Sequence, residues 1–125
     1  MKVLIIDDDA DIRSIVRLSL SRLGGMTVVE AASGAEGVRK ARDEKPDVIL
    51  LDMMMPAMDG SATLAALRSQ PATATTPVIF LTAKAERTET DRLMALGARG
   101  VLIKPFDPRT LSTDVRALIK RPLDS

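Results

Sequence analysis

The chain has 125 residues, 46% of them apolar and 28% charged, with a net charge of +1, the profile of one folded domain with its own core. It contains no cysteine and no histidine, which excludes thiol catalysis, disulfides, thiolate or imidazole metal sites, His-based triads and a phosphohistidine on this chain. The longest apolar runs, such as Val48 to Leu51, are too short to span a membrane or serve as a signal peptide, so a cytoplasmic protein without membrane partners is expected.

The first element is the run Val3-Leu4-Ile5-Ile6, which ends in Asp7-Asp8-Asp9 with no turn residue between. Carboxylates this close repel, the more so as burial removes water, so a core strand that ends in three of them needs a reason. A helix follows, with Ile12, Ile15, Val16, Leu20 and Leu23 at helical spacing and Gly24-Gly25 to stop it. Asp9 is its expected N-cap, and Asp11 is well placed in the first turn. Val28, Val29 and Ala31 predict a second strand, and Ser33-Gly34-Ala35-Glu36 a capping box that opens a helix ending before Pro46. Val48 to Leu51 predict a third strand that leads into Asp52. The third helix starts near Asp59-Gly60 and fades by Gln70-Pro71. Val78 to Leu81 lead into Thr82, and a fourth helix runs from about Thr88 to Leu96 and stops at Gly97. Val101 to Ile103 lead into Lys104-Pro105, and the fifth helix carries Leu111, Val115, Leu118 and Ile119 on one stripe.

Strand and helix alternate five times without repeat or linker, which predicts a parallel sheet with helices on both faces. In such sheets the site lies beyond the carboxyl ends of the strands. Asp7, Asp8 and Asp9, then Asp52, Thr82 and Lys104 stand at those ends. Each alone has a bland explanation as a turn former or cap. Together they put carboxylates, a hydroxyl and an ammonium on one rim, a working set for phosphate chemistry. Two or three carboxylates with a backbone carbonyl form a hard oxygen site suited to Mg²⁺, with Mn²⁺ also admissible, and such a cation removes the repulsion. One carboxylate can then act as a nucleophile to give an acyl phosphate, while Lys104 and Thr82 contact phosphoryl oxygens. Met53, Met54 and Met55 offer thioethers, the wrong donors for Mg²⁺, and read as gap-filling side chains, as Phe80 and Phe106 read as core packing. The basic residues of the last third are spread over helical faces with no aromatic platform, which argues against nucleic acid.

The stretches IIDDDADIR, PDVILLDMMMPAMDG, PVIFLTA and GARGVLIKPF, in this order over nearly the whole length, closely resemble a response-regulator receiver domain of two-component signalling, of the chemotaxis-regulator kind. The resemblance implies a flavodoxin-like, doubly wound, five-stranded parallel sheet of order 2-1-3-4-5 with five helices, and a cis bond between Lys104 and Pro105. It implies that Asp52 is the phosphoacceptor, that Asp7 and Asp8 with Asp52 and the backbone carbonyl of Met54 hold the metal, and that Thr82 and Lys104 sense the phosphoryl group. The implied activity is a switch, not an enzyme with a separate substrate. Asp52 takes a phosphoryl group from a sensor histidine kinase or histidine phosphotransfer protein, and the change through Thr82 and Lys104 controls an unknown output protein or onward relay. A single receiver over residues 1–125, ending soon after the fifth helix with no output domain, leads to the expectation of a stand-alone regulator or relay shuttle, ahead of a receiver cut from a longer protein, with no direct DNA binding.

The chain departs from the family pattern at two places. Val101 stands where many receivers carry an aromatic side chain that swings inward. Arg99-Gly100 replaces an acidic pair, which weakens the expectation of the salt-bridged dimer of one large group of DNA-binding regulators. Met54 and Lys84, two positions after Asp52 and Thr82, cannot orient water as an amide or carboxylate does, so slow self-dephosphorylation is expected. Two other readings compete. Asp7 and Asp9 have the spacing of haloacid-dehalogenase-type phosphatases, with Asp7 as nucleophile. A degenerate receiver would serve only for docking, but its usual mark, a missing acid or lysine, is not found here.

Overall fold

Each apolar run forms a strand and each intervening stretch a helix in the computed structural model, which describes residues 1–120; residues 121–125, on which the expected chain end falls, lie outside the described residues. In chain order the elements are β1 (Lys2–Ile6), α1 (Ala10–Leu18), β2 (Thr27–Ala31), α2 (Gly34–Glu44), β3 (Val48–Asp52), α3 (Gly60–Ser69), β4 (Val78–Thr82), α4 (Arg87–Ala95), β5 (Gly100–Ile103) and α5 (Leu111–Lys120). The strands are all parallel, in the order β2-β1-β3-β4-β5 expected of the flavodoxin-like arrangement. Ile6 pairs with Leu51, Asp52 with Leu81 and Thr82 with Ile103, so the strand ends that carry the polar groups stand side by side.

Strand periodicity divides the core in two. Leu4, Ile6, Ile49, Leu51 and Phe80 enter a layer with Ala41, Leu64, Leu67 and Leu93 from α2, α3 and α4. Val3, Ile5, Leu50, Ile79 and Leu81 enter the opposite layer with Val16, Leu20, Leu111 and Val115. Val3 to Ile6, Val48 to Leu51 and Val78 to Leu81 are wholly buried, which is why these runs are continuous and not alternating. Each such side chain contributes about 1.5–3 kcal/mol by leaving water. This stiff base fixes the rim above it.

The helix starts are mostly capped as expected. Asp9 accepts from the N–H groups of Asp11 (2.8 Å) and Ile12 (3.4 Å), and Asp59 from that of Ala62 (2.9 Å). Ser33 Oγ accepts from the Glu36 N–H at 3.2 Å, but the Glu36 carboxylate reaches the Ala32 N–H, at 2.6 Å, in place of the cap's own. The cap residue of α4, Glu86, makes no side-chain bond to its helix.

The first helix differs from its expected stripe. Beyond Leu18 the chain continues as a π-helical turn over Ser19–Leu23, and this wider turn rotates the following side chains. Val16 and Leu20 remain buried and Ser19 turns inward, its hydroxyl donating to the Pro108 carbonyl. Ile15 and Leu23, expected on the buried stripe, are 39% and 62% exposed. The fourth helix begins one residue earlier than expected, and Gly97 follows it with a φ of 104°. The Lys104–Pro105 bond is cis, as the resemblance implies. Among the described residues no helix is long and apolar enough to cross a membrane.

Candidate functional site

The three consecutive acids meet three different fates. Asp7 is fully buried, with Oδ1 accepting from the Asp9 N–H at 2.9 Å and Oδ2 lying 2.9 Å from Lys104 Nζ. Asp8 is exposed, and Asp9 is spent on the cap of α1. From β3, Asp52 joins them. It is 4% exposed, its Oδ1 lies 3.2 Å from Lys104 Nζ, and the same oxygen accepts from the Met54 N–H at 3.3 Å. One oxygen each of Asp7, Asp8 and Asp52 lies within 4.8 Å of the other two. Thr82, at the end of β4, is buried, and its hydroxyl oxygen accepts from the Lys84 N–H at 3.1 Å. Thus the rim expected from sequence is one cluster, with Lys104 from beyond β5 reaching across two strands.

Two backbone features hold the segment after Asp52. A Cβ on Gly60 would lie 2.8 Å from both the Asp52 carbonyl oxygen and the Met53 Cα, so only glycine lets α3 begin against the strand end. Its N–H donates to the Met53 carbonyl at 2.9 Å. Between them Ala57 has a φ of 64°, and the Met58 N–H donates to the Pro56 carbonyl at 2.7 Å, a γ-turn in the left-handed region that an L-residue with a Cβ occupies only under strain. The Met54 side chain, just before it, is 65% exposed.

Charge is unbalanced in this cluster. Burial, and then the charge of Asp7, pushes the Asp52 carboxyl up from 3.8 to about 6, against the pull of Lys104 and of the Met54 N–H. Burial lowers Lys104, but its hydrogen bonds to Asp7 and Asp52 and their charges outweigh that and hold it above an ordinary lysine. A carboxylate poised in this way is half-compensated by one ammonium and has room for a further cation.

Sequence reading missed the groups that brace this rim. Arg13 Nη1 donates to the Asp7 carbonyl at 2.8 Å while its Nε lies 3.2 Å from Glu30 Oε1; Arg17 lies 3.1 Å from the other Glu30 oxygen. The spacing of Arg13 and Arg17, one helical turn apart and facing an acid near the end of β2, was the available signal. Beyond Thr82, Lys84 Nζ lies 3.6 Å from Glu89 Oε2. Val101 is partly buried and packs against the Phe80 layer.

A model of the response regulator receiver domain matches residues 3–116. The chain belongs to that family. It is similar to the alkaline phosphatase synthesis transcriptional regulatory protein PhoP of Bacillus subtilis, 38% identical over 96% of this chain and 49% of that protein. The transcriptional regulatory protein ResD of the same organism is also 38% identical, over 96% of this chain and 48% of its own length. Among solved structures, the chemotaxis response regulator CheY4 of Vibrio cholerae superposes with a TM-score of 0.87 at 37% identity, covering 94% of this receiver and 97% of that chain. This receiver domain is thus a signalling switch of two-component systems. It spans about half the length of the curated relatives it matches.

Those relatives overturn the expectation that excluded DNA from the partners. PhoP and ResD are transcriptional regulators, and they match along almost all of this receiver. The exclusion rests on the charge and aromatic content of these residues and on the expected absence of an output domain, and neither decides what proteins of this family bind. Such a surface says nothing about the other half of proteins twice as long.

Proposed function

We propose that Asp52 is the phosphoacceptor of this receiver and that it takes its phosphoryl group from a histidine on a partner kinase or phosphotransfer protein in the cytoplasm. The observation that carries this reading is the place of Asp52, 3.2 Å from Lys104 and within 4.8 Å of oxygens of Asp7 and Asp8. An Asp52 oxygen attacks phosphorus, the phosphorus–nitrogen bond to the donor imidazole breaks, and the released nitrogen keeps the electron pair and takes up a proton. Asp52 becomes an acyl phosphate. Lys104 pairs with a phosphoryl oxygen as it now pairs with Asp52, and the Thr82 hydroxyl proton is free to donate to another while its oxygen accepts from Lys84. The donor acts in trans because this chain has no histidine.

The donor set fits Mg²⁺, or Mn²⁺: three carboxylates that are oxygen-only, crowded and incompletely neutralised, with Asp8 open to solvent. Asp7, Asp8, Asp52 and the Met54 carbonyl would hold the ion. When bound it supplies charge neutralisation for an incoming phosphoryl group. The phosphorylation state then governs a partner contact or onward transfer, and the relatives above support control of transcription as the process served.

The phosphatase reading, with Asp7 as nucleophile and Asp9 as acid, is disfavoured by geometry. The Asp9 carboxylate is engaged by two N–H groups of α1, and Asp7 is buried against Lys104. Incubation with acetyl phosphate and Mg²⁺, followed by peptide mass spectrometry, separates the two. Modification is expected at Asp52 and lost in Asp52→Ala. Stoichiometric labelling of Asp52→Ala, or label on Asp7, would overturn the assignment.

A further inference from the structure

We propose that Glu89 is a positioning residue which tethers Lys84 to the first turn of α4, and that an anionic phosphoryl group on Asp52 competes with it for the Lys84 ammonium. This rests on the reading of Asp52 as phosphoacceptor and adds a route from that charge to a helix.

Two independent features carry it. The first is the unequal pairing of Glu89, whose side chain is only 11% exposed. Arg92 Nη2 lies 2.6 Å and Nε 2.8 Å from its Oε1, whereas Lys84 Nζ lies 3.6 Å from Oε2. A nearly buried carboxylate needs a cation, and Arg92 alone meets that need. Lys84 is the looser partner, so its departure leaves no unpaired buried charge.

The second is the start of α4. The first turns of α1, α2 and α3 are each held by a cap side chain, Asp9, Ser33 or Asp59, whereas Glu86 provides none. The helix has nine residues and buries only Leu93 fully. The Lys84–Glu89 pair therefore ties a weakly anchored first turn to the residue whose own N–H sits on the Thr82 hydroxyl. A phosphoryl group beside Thr82 adds negative charge on the strand-end side of Lys84, opposite the pull of Glu89. The flexible stem of lysine can redirect its ammonium without moving the backbone. Val101 lacks the ring that would otherwise report to this region, which leaves the tether as a device already built into the β4–α4 connection.

The test is a double-mutant cycle on the affinity for beryllofluoride in the presence of Mg²⁺, read by calorimetry in wild type, Glu89→Gln, Lys84→Met and the pair. Glu89→Gln frees Lys84 and is expected to tighten binding about two- to fivefold, the range that an exposed ion pair is worth. Lys84→Met is expected to weaken it, Lys84→Arg to preserve it, and Glu89→Gln to have no effect in the Lys84→Met background. Thermal melts identify any variant that fails to fold, and Glu89→Ala then replaces Glu89→Gln in the cycle. Unchanged affinity in the folded glutamate variant, or equal tightening with Met at position 84, overturns the tether while leaving the phosphoacceptor reading intact. A wild type that binds no beryllofluoride overturns both.

Discussion

Lys104 Nζ lies 2.9 Å from Asp7 Oδ2, and this ammonium already does for the acidic cluster part of what a divalent cation would do. The same nitrogen is 3.2 Å from Asp52, so the lysine bridges the proposed metal ligand and the proposed nucleophile. Lys104→Met is therefore expected to have two opposed effects. Without metal it leaves Asp7 and Asp52 buried and unbridged, a loss on the order of 2 kcal/mol read from chemical denaturation, below the full cost of breaking a buried pair because Asp52 can take up a proton. The Mg²⁺ affinity of the free protein should be equal or higher, since a competing cation is gone, while beryllofluoride affinity falls about tenfold with the loss of a charge-assisted contact. Weaker Mg²⁺ binding in Lys104→Met would show that the lysine supports the metal site and does not compete with it.

The raised Asp52 carboxyl predicts a pH dependence whose sign is fixed. Between 3.8 and about 6 the folded protein keeps a proton that the unfolded chain has lost. The contribution of this group to stability therefore falls as pH rises through that window, and it is level above it. In metal-free buffer, Asp52→Asn should be more stable than wild type at about pH 7.5, by on the order of 1–2 kcal/mol, and nearly equal to it at about pH 3.5. Mg²⁺ should shrink the gap at the higher pH by favouring the ionised carboxylate. A gap that stays constant across this range would mean that Asp52 is not destabilised by its own charge.

Why some of this was legible in the sequence and some was not follows from the range of the interactions. Val3 to Ile6, Val48 to Leu51 and Val78 to Leu81 announce buried parallel strands because their composition reports burial on both faces. The acids after β1 and β3 are readable because a strand end fixes where its next side chain goes. The cap by Asp9 is readable because its partners are two and three residues away. The π-helical turn at Ser19–Leu23 is not, since the inward Ser19 is rewarded by the Pro108 carbonyl, distant in sequence. The Lys84–Glu89 pair is likewise hidden, because it crosses a loop whose path the sequence leaves open. The exclusion of DNA failed for a different reason: the surface charge and the chain end of one receiver do not report the partners of regulators about twice its length.

Asp8 is the exposed member of the acid cluster, and its removal separates metal binding from fold stability. Asp8→Ala should weaken Mg²⁺ binding severalfold, because one hard oxygen donor is lost. In metal-free buffer it should be neutral or stabilising by a few tenths of a kcal/mol, as a like charge beside Asp7 and Asp52 is gone. Chain and metal contain no convenient chromophore, with neither tryptophan nor tyrosine present, so calorimetry or amide NMR shifts provide the readout. Equal Mg²⁺ affinity in wild type and variant would place the ion elsewhere.

The lifetime of the acyl phosphate is the remaining consequence of this site. Hydrolysis requires a water in line with the phosphorus–oxygen bond to Asp52, approaching from the open side of the cluster. Met54, two residues beyond Asp52, has its N–H on the Asp52 carboxylate and its side chain 65% exposed, and is the side chain expected to overhang that approach. A thioether neither donates strongly nor accepts strongly, so it fills the approach without orienting water. Lys84, the other candidate to reach that space, brings an ammonium that pairs with phosphoryl oxygens and cannot accept a proton or a hydrogen bond from water. Self-dephosphorylation should therefore be slow, which suits a stored or relayed signal. Met54→Asn introduces an amide that can hold water and is expected to shorten the lifetime about tenfold, below the full range of positioned proton-transfer catalysis because the amide orients water without taking its proton. Met54→Leu keeps the bulk without the polarity and should leave the decay unchanged, with both rates followed by loss of radiolabelled phosphate after donor removal. If the leucine variant decays as fast as the asparagine variant, shielding by the methionine chain and not water orientation sets the rate.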